Sequence, residues 1–141
     1  MSAESRAHEC GILDTSTVVQ LERLPDARDL PAEPLITAVT LAELAVGPLV
    51  ARDDDERARR QARLQQAEAD FVPLPFDAEA ARAFALVAAS LRGAGRKVSA
   101  RTFDALIAAI AIANGLPVHT CNPGDFEGID RLEVVAVPVP A

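Results

Sequence analysis

The sequence predicts an α/β domain built on a mainly parallel sheet, and three observations carry that prediction. Short apolar runs alternate along the chain with longer helical patterns. Gly, Pro, Asn and Asp cluster between them, as turns require. The length, 141 residues, favours one domain that hides roughly two-thirds of its unfolded surface in a single core.

Residues 1–9 are polar and read as a flexible tail, and the folded domain is expected over 10–137. CGILD (10–14) is the first apolar run and ends at a carboxylate. TSTVVQLER (15–23) places Val18, Val19 and Leu21 as a short helix would. Pro25, Pro31 and Pro34 make 24–34 a loop, and LIT (35–37) follows as a second strand. TLAELAVGPL (40–49) reads as a helix broken near Gly47-Pro48. The stretch 51–70 carries acids first and arginines later, the order a helix dipole favours.

FVPLP (71–75) is a third apolar run between helical patterns. Asp77 opens the next helix, DAEAARAFALVAASLRGAG, closed by Gly93 and Gly95. RTFDALIAAIAIANG (101–115) is the most apolar helix and stops at a glycine. LPVHT (116–120) and LEVVAV (132–137) are the last two strands, separated by the turn-rich CNPGDFEGID.

Composition removes several classes of function. A formal net charge of −7 argues against non-specific coating of nucleic acid, while leaving room for a local basic patch. No apolar run approaches the ~18–20 residues of a membrane span. The N-terminus carries Glu4 and Glu9 without the apolar segment of a signal peptide, so a cytoplasmic protein with no membrane partner is expected. Cys10, Cys121, His8 and His119 form no zinc-ligand spacing.

The remaining chemistry is that of carboxylates. Parallel sheets place ligands beyond the carboxyl ends of their strands, where Asp14 follows GIL. An Asp there also serves as an N-cap for the next helix. Glu43 lies among apolar neighbours, and Thr40-Leu-Ala-Glu43 matches a capping box. Asp104 is the only polar side chain from Phe103 to Ala113. A helix apolar all round is buried, and a buried carboxylate without a partner takes up a proton or needs a function. Asp125 follows the fourth strand candidate in a turn that Asn122, Pro123 and Gly124 already explain.

Taken together, the four carboxylates would converge on one sheet edge. Acids that close cannot all stay ionised without a cation, and an all-oxygen cluster selects Mg2+ or Mn2+ over Zn2+. Metal-assisted phosphodiester hydrolysis is the natural chemistry of such a cluster.

At these residues the sequence resembles the PIN-domain ribonucleases, specifically VapC-type toxins of type II toxin–antitoxin pairs. The matching elements are LDTS (13–16), TLAEL (40–44), FDALIAAIA (103–111) and TCNPGDF (120–126), in family order over nearly the whole chain. The resemblance implies a Rossmann-like α/β/α sandwich with a five-stranded, mainly parallel sheet. It implies that Asp14, Glu43, Asp104 and Asp125 form a catalytic metal centre for Mg2+, with Mn2+ able to substitute. Asp14 would hold the metal directly, Asp104 directly or through water, and Glu43 and Asp125 would hold or orient its waters. Ser16, Thr120 and Asn122 match polar residues that orient those groups. RNA as substrate, a VapB-like antitoxin and a homodimer are further implications. The chain departs from the family pattern at Cys121, where a basic residue is common, and in the tight Pro123-Gly124 turn. In this fold Cys10 and Cys121 would lie at opposite ends of the sheet as free thiols.

Arg92, Arg96, Lys97 and Arg101 form an acid-free stretch leading into the Asp104 helix, and Arg96, Lys97 and Arg101 are expected to contact substrate phosphates. Arg57, Arg59, Arg60 and Arg63 read instead as a helix face with local ion pairs. Two other readings compete. A receiver-like phosphoryl-transfer domain would want a Lys after a later strand, whereas Lys97 precedes a helix. A non-catalytic binding module would use the carboxylates only as caps.

Overall fold

The computed structural model describes residues 9–24 and 27–139. The expected tail (all but Glu9), His8 and Pro25 lie outside the described residues. Four parallel strands pair in the order β2-β1-β3-β4. They are β1 (Cys10–Leu13), β2 (Glu33–Leu35), β3 (Val118–Thr120) and β4 (Val134–Ala136). The helices are α1 (Thr15–Gln20), α2 (Ala38–Val46), α3 (Asp54–Asp70), α4 (Ala78–Gly93) and α5 (Thr102–Asn114).

Successive strand residues face opposite sides of a sheet, and β1 shows the consequence. Ile12 joins a core with Val87 and Leu91 of α4 and Ile107 and Ile110 of α5. Leu13 joins a second core with Val18 of α1, Leu44 of α2 and Ala67 of α3. Both strand residues are wholly buried, which is why the strand reads as a continuous apolar run. The sheet is therefore the middle layer of a sandwich, as expected. Alanines 105, 108, 109 and 111 of α5 are also wholly buried, their small side chains suiting a helix enclosed on most sides.

Two strand expectations need correcting. The strand expected at 35–37 begins two residues earlier, at Glu33, and takes in Pro34. Proline fits there because β2 pairs only with β1 in the sheet, and the Glu33 N–H already points to that neighbour, donating to the Glu9 carbonyl at 2.7 Å. Strand alternation then aims position 34 at the outer edge, where no donor is needed.

The third apolar run, FVPLP, which a five-stranded sheet would need as a strand, contributes only an isolated parallel bridge, Thr37 to Leu74. The Leu74 N–H donates to Ile36 O at 2.9 Å and its carbonyl accepts from Ala38 N at 2.8 Å. Pairing stops there because Thr37 is already the N-cap of α2. Pro73 and Pro75 also hold φ near −65°, away from parallel-strand values near −120°. Facing outward beside Leu74, they leave this edge poor in donors, which discourages further pairing.

The arginine-rich part of α3 does form the expected local pairs. Arg57 meets Asp54 at 2.6 Å, and Arg60 meets Glu56 at 3.1 Å. Arg60 also donates to the Gly47 carbonyl at 2.9 Å, fastening α3 to the end of α2. No helix among the described residues is long and apolar enough to cross a membrane.

Candidate active site

Because all four strands run the same way, Leu13 and Thr120 end at one edge of the sheet. Asp14 follows β1 there, only 2% exposed, and caps α1 by accepting from the Thr17 N–H at 3.1 Å. A plain cap would need no more. Asp14 also accepts from three hydroxyls: Thr17 Oγ1 at 2.6 Å, Ser16 Oγ at 3.0 and 3.1 Å, and Thr120 Oγ1 at 2.7 Å. Several donors converging on one buried carboxylate fix its position.

Glu43 is brought to the same edge by α2. The capping-box reading of Thr40 and Glu43 fails, because the N-cap is Thr37, whose Oγ1 accepts from the Thr40 N–H at 3.2 Å. Thr40 is a buried helical residue whose hydroxyl lies 2.9 Å from that of Thr15. Thr15 Oγ1 then donates to Glu43 Oε1 at 2.6 Å. Burial pushes the Glu43 carboxyl above its ordinary range, the Thr15 hydrogen bond opposes this, and the Asp14 charge adds to the rise.

Asp104 stands in the first turn of α5, where the helix dipole favours a carboxylate. Its surroundings oppose ionisation more strongly. Burial first, then the charges of Asp125, Asp14 and Glu43, raise its pKa to about 6, against a smaller lowering by Arg101. One half-buried acid thus senses the three others, and the four share a single electrostatic site.

Asp125 lies in the short 3-10 turn Pro123–Phe126 after β3. Arg101 donates to its Oδ1 at 2.5 Å. Asn122 participates through its backbone. Its N–H donates to Thr120 Oγ1 at 2.9 Å, and its carbonyl accepts from the Asp125 N–H at 2.9 Å. Arg96 donates to the carbonyls of Glu127 and Gly124, at 3.3 and 3.4 Å. Of the basic stretch, Lys97 is exposed, whereas Arg96 and Arg101 are half-buried with partners inside the protein. Cys121 and Cys10 are free thiols, as expected.

Sequence reasoning assigned no site role to Thr15 and Thr17, and read Thr40 only as part of a capping box. The signal available was the hydroxyl run Thr15-Ser16-Thr17 directly after Asp14, dense in donors for a helix start.

Among the described residues, no group of three or more His, Cys, Asp or Glu side chains stands in a ready-made ion cage. The donor set nevertheless suits a hard divalent cation. It is all oxygen, and the mutual repulsion felt by Asp104 is what such an ion would relieve.

Comparison with known proteins identifies the family of the chain. Residues 12–132 match the PIN domain family. Ribonuclease VapC5 of Mycobacterium tuberculosis is 43% identical over 129 residues, spanning 90% of this chain and 93% of that protein. Ribonuclease VapC of Rickettsia bellii is 31% identical over 131 residues, spanning 91% and 96%. The crystal structure of VapBC-5 from M. tuberculosis, a member of the VapBC toxin–antitoxin family, contains a chain that superposes with a TM-score of 0.81. That match has 40% identity and covers 92% of this chain and 99% of the other.

Proposed function

The chain belongs to the PIN domain family, and from that premise we propose that it is a divalent-metal-dependent endoribonuclease. It serves as the toxin of a toxin–antitoxin pair, as the similarity to VapC ribonucleases and to a VapBC chain supports. Its partner is then a VapB-like antitoxin, and its working form a homodimer. The observation that carries the chemistry is the acidic sheet edge. Asp14 is held there by the hydroxyls of Ser16, Thr17 and Thr120, and Glu43 is held by Thr15. Asp104 lies where burial and the charges of Asp125, Asp14 and Glu43 raise its pKa.

In this reading Asp14, Glu43, Asp104 and Asp125 hold Mg2+, or Mn2+ in its place. The ion, when bound, activates water for attack and neutralises charge on a phosphate oxygen. The protein's task is preorganisation. Ser16, Thr17 and Thr120 fix Asp14, and Thr15 fixes Glu43. Neither acid then needs to reorganise when RNA arrives. The turn from Asn122 to Asp125 supplies the fourth carboxylate. Exposed Lys97 offers a charge to an RNA phosphate, while Arg96 and Arg101 act there only by leaving the partners they now have.

Incubating the purified protein with structured and unstructured RNAs tests the reading. Cleavage is expected with Mg2+ or Mn2+, and its loss with EDTA and in Asp104→Asn. Cleavage persisting in EDTA, or full activity in Asp104→Asn, would overturn it.

A further inference from the structure

The turn that brings Asp125 to the site is short and half exposed, anchored by the buried ring of Phe126 (2% exposed) and by the Arg101–Asp125 ion pair at 2.5 Å. A third fastening comes from Arg96, twenty-nine residues before Asp125. Its backbone is itself fixed, the Arg96 N–H donating to the Leu91 carbonyl at 2.8 Å beyond the end of α4. From there the guanidinium donates to Gly124 O through Nη2 and to Glu127 O through Nη1, bracketing Asp125 and Phe126. The Glu127 carboxylate, 3.8 Å away, offsets its charge.

The chain makes room for this contact at Gly128. There φ is +87°, and an added Cβ would lie 3.0 Å from the Ala94 Cβ and 3.3 Å from the Arg96 Cδ. Only glycine adopts that backbone readily while letting the arginine stem lie so close.

Resting on the metal-centre reading above, we infer that Arg96 is a positioning residue. By bridging Gly124 and Glu127 it holds the turn that presets Asp125 within the acidic site. This differs from the phosphate contact expected from sequence, in which Arg96 would supply charge and nothing more. A planar fork spans two carbonyls, whereas a lysine supplies a point charge and cannot replace the fork.

Arg96→Lys and Arg96→Ala separate the two roles. If Arg96 positions the turn, the Asp125 and Glu127 amides exchange hydrogen about tenfold faster in both variants, while β1 and α5 stay protected. Mn2+ affinity, measured by calorimetry without RNA, falls about threefold to tenfold in both, and the KM for RNA is unchanged. Unchanged exchange in both variants would overturn the inference. So would a result in which lysine restores everything and alanine raises only KM. If Arg96→Ala does not fold, Arg96→Lys decides. If the unaltered protein binds no Mn2+, the metal-centre reading fails, while amide exchange still decides whether Arg96 holds the turn.

Discussion

Thr120, the last residue of β3, donates its hydroxyl to Asp14 Oδ2 at 2.7 Å across the carboxyl ends of two neighbouring parallel strands. Thr120 Oγ1 also accepts from the Asn122 N–H at 2.9 Å, so one buried hydroxyl links the β1 carboxylate to the turn carrying Asp125. Thr120→Val keeps the shape and removes both bonds. The variant should lose about 1–3 kcal/mol of stability, since a carboxylate donor goes and a backbone N–H is left without its acceptor. RNA cleavage should fall further than that loss explains, because the fold survives while Asp14 loses a restraint. Chemical denaturation alongside single-turnover cleavage measures both effects.

Asp104 should cost the metal-free protein stability as pH rises from about 4 to above 6. Asp104 titrates near its ordinary value of 3.8 when unfolded and at about 6 when folded. The folded state therefore holds the proton more tightly, and its advantage, full below pH 4, is gone once pH passes the folded value. Asp104→Asn cannot ionise and escapes this loss. It should be more stable than the unaltered protein at pH 7.5, by on the order of 1–2 kcal/mol after allowance for solvent screening, with the gap closing toward pH 4. Melting temperatures in EDTA across that range test the sign. Added Mg2+ should narrow the gap by stabilising only the protein that keeps the carboxylate.

The four acids were legible because their signals are local. A carboxylate closing an apolar run, or alone in an apolar helix, stands out in a single window of sequence. The parallel alternation of elements says which edge they reach. The hydroxyls that hold them were not legible, because Thr120 and Asp14 are 106 residues apart and nothing local pairs them. The internal partners of Arg96 and Arg101 were not legible for the same reason. Their basic stretch looks solvated and free, yet its partners lie 24 to 31 residues onward. The run FVPLP was overread because an apolar run shows what can be buried, and not that Thr37 has already turned its partner into a helix.

Gly11 should tolerate no side chain. A Cβ at this buried β1 position would sit 2.4 Å from His119 Cε1 and 2.5 Å from Nδ1, in the adjoining strand. The ring is wholly buried and the sheet is packed on both faces, so neither partner can yield cheaply. Gly11→Ala should cost about 3 kcal/mol. Strand separation would also shift Asp14, which donates its own N–H to His119 O at 3.3 Å. Gly11→Ala,His119→Ala should recover part of the stability if the ring is the obstacle. A double variant no more stable than Gly11→Ala alone would place the cost in the backbone instead.

Thr15 offers the most selective probe of Glu43. Its hydroxyl donates to Glu43 Oε1 at 2.6 Å and holds that acid's pKa down, against burial and the Asp14 charge, which raise it. Thr15→Val removes the opposing influence, so Glu43 should ionise at higher pH. An activity that needs Glu43 as a carboxylate should then fail earlier on acidification. The acidic limb of the pH–rate profile should move upward, with activity near pH 8 largely kept. Thr15→Ser keeps a hydroxyl on the same turn and should restore the original limb. If Thr15→Val instead lowers activity equally at every pH, the hydroxyl only supports the fold, and the acidic limb belongs to another group such as Asp104.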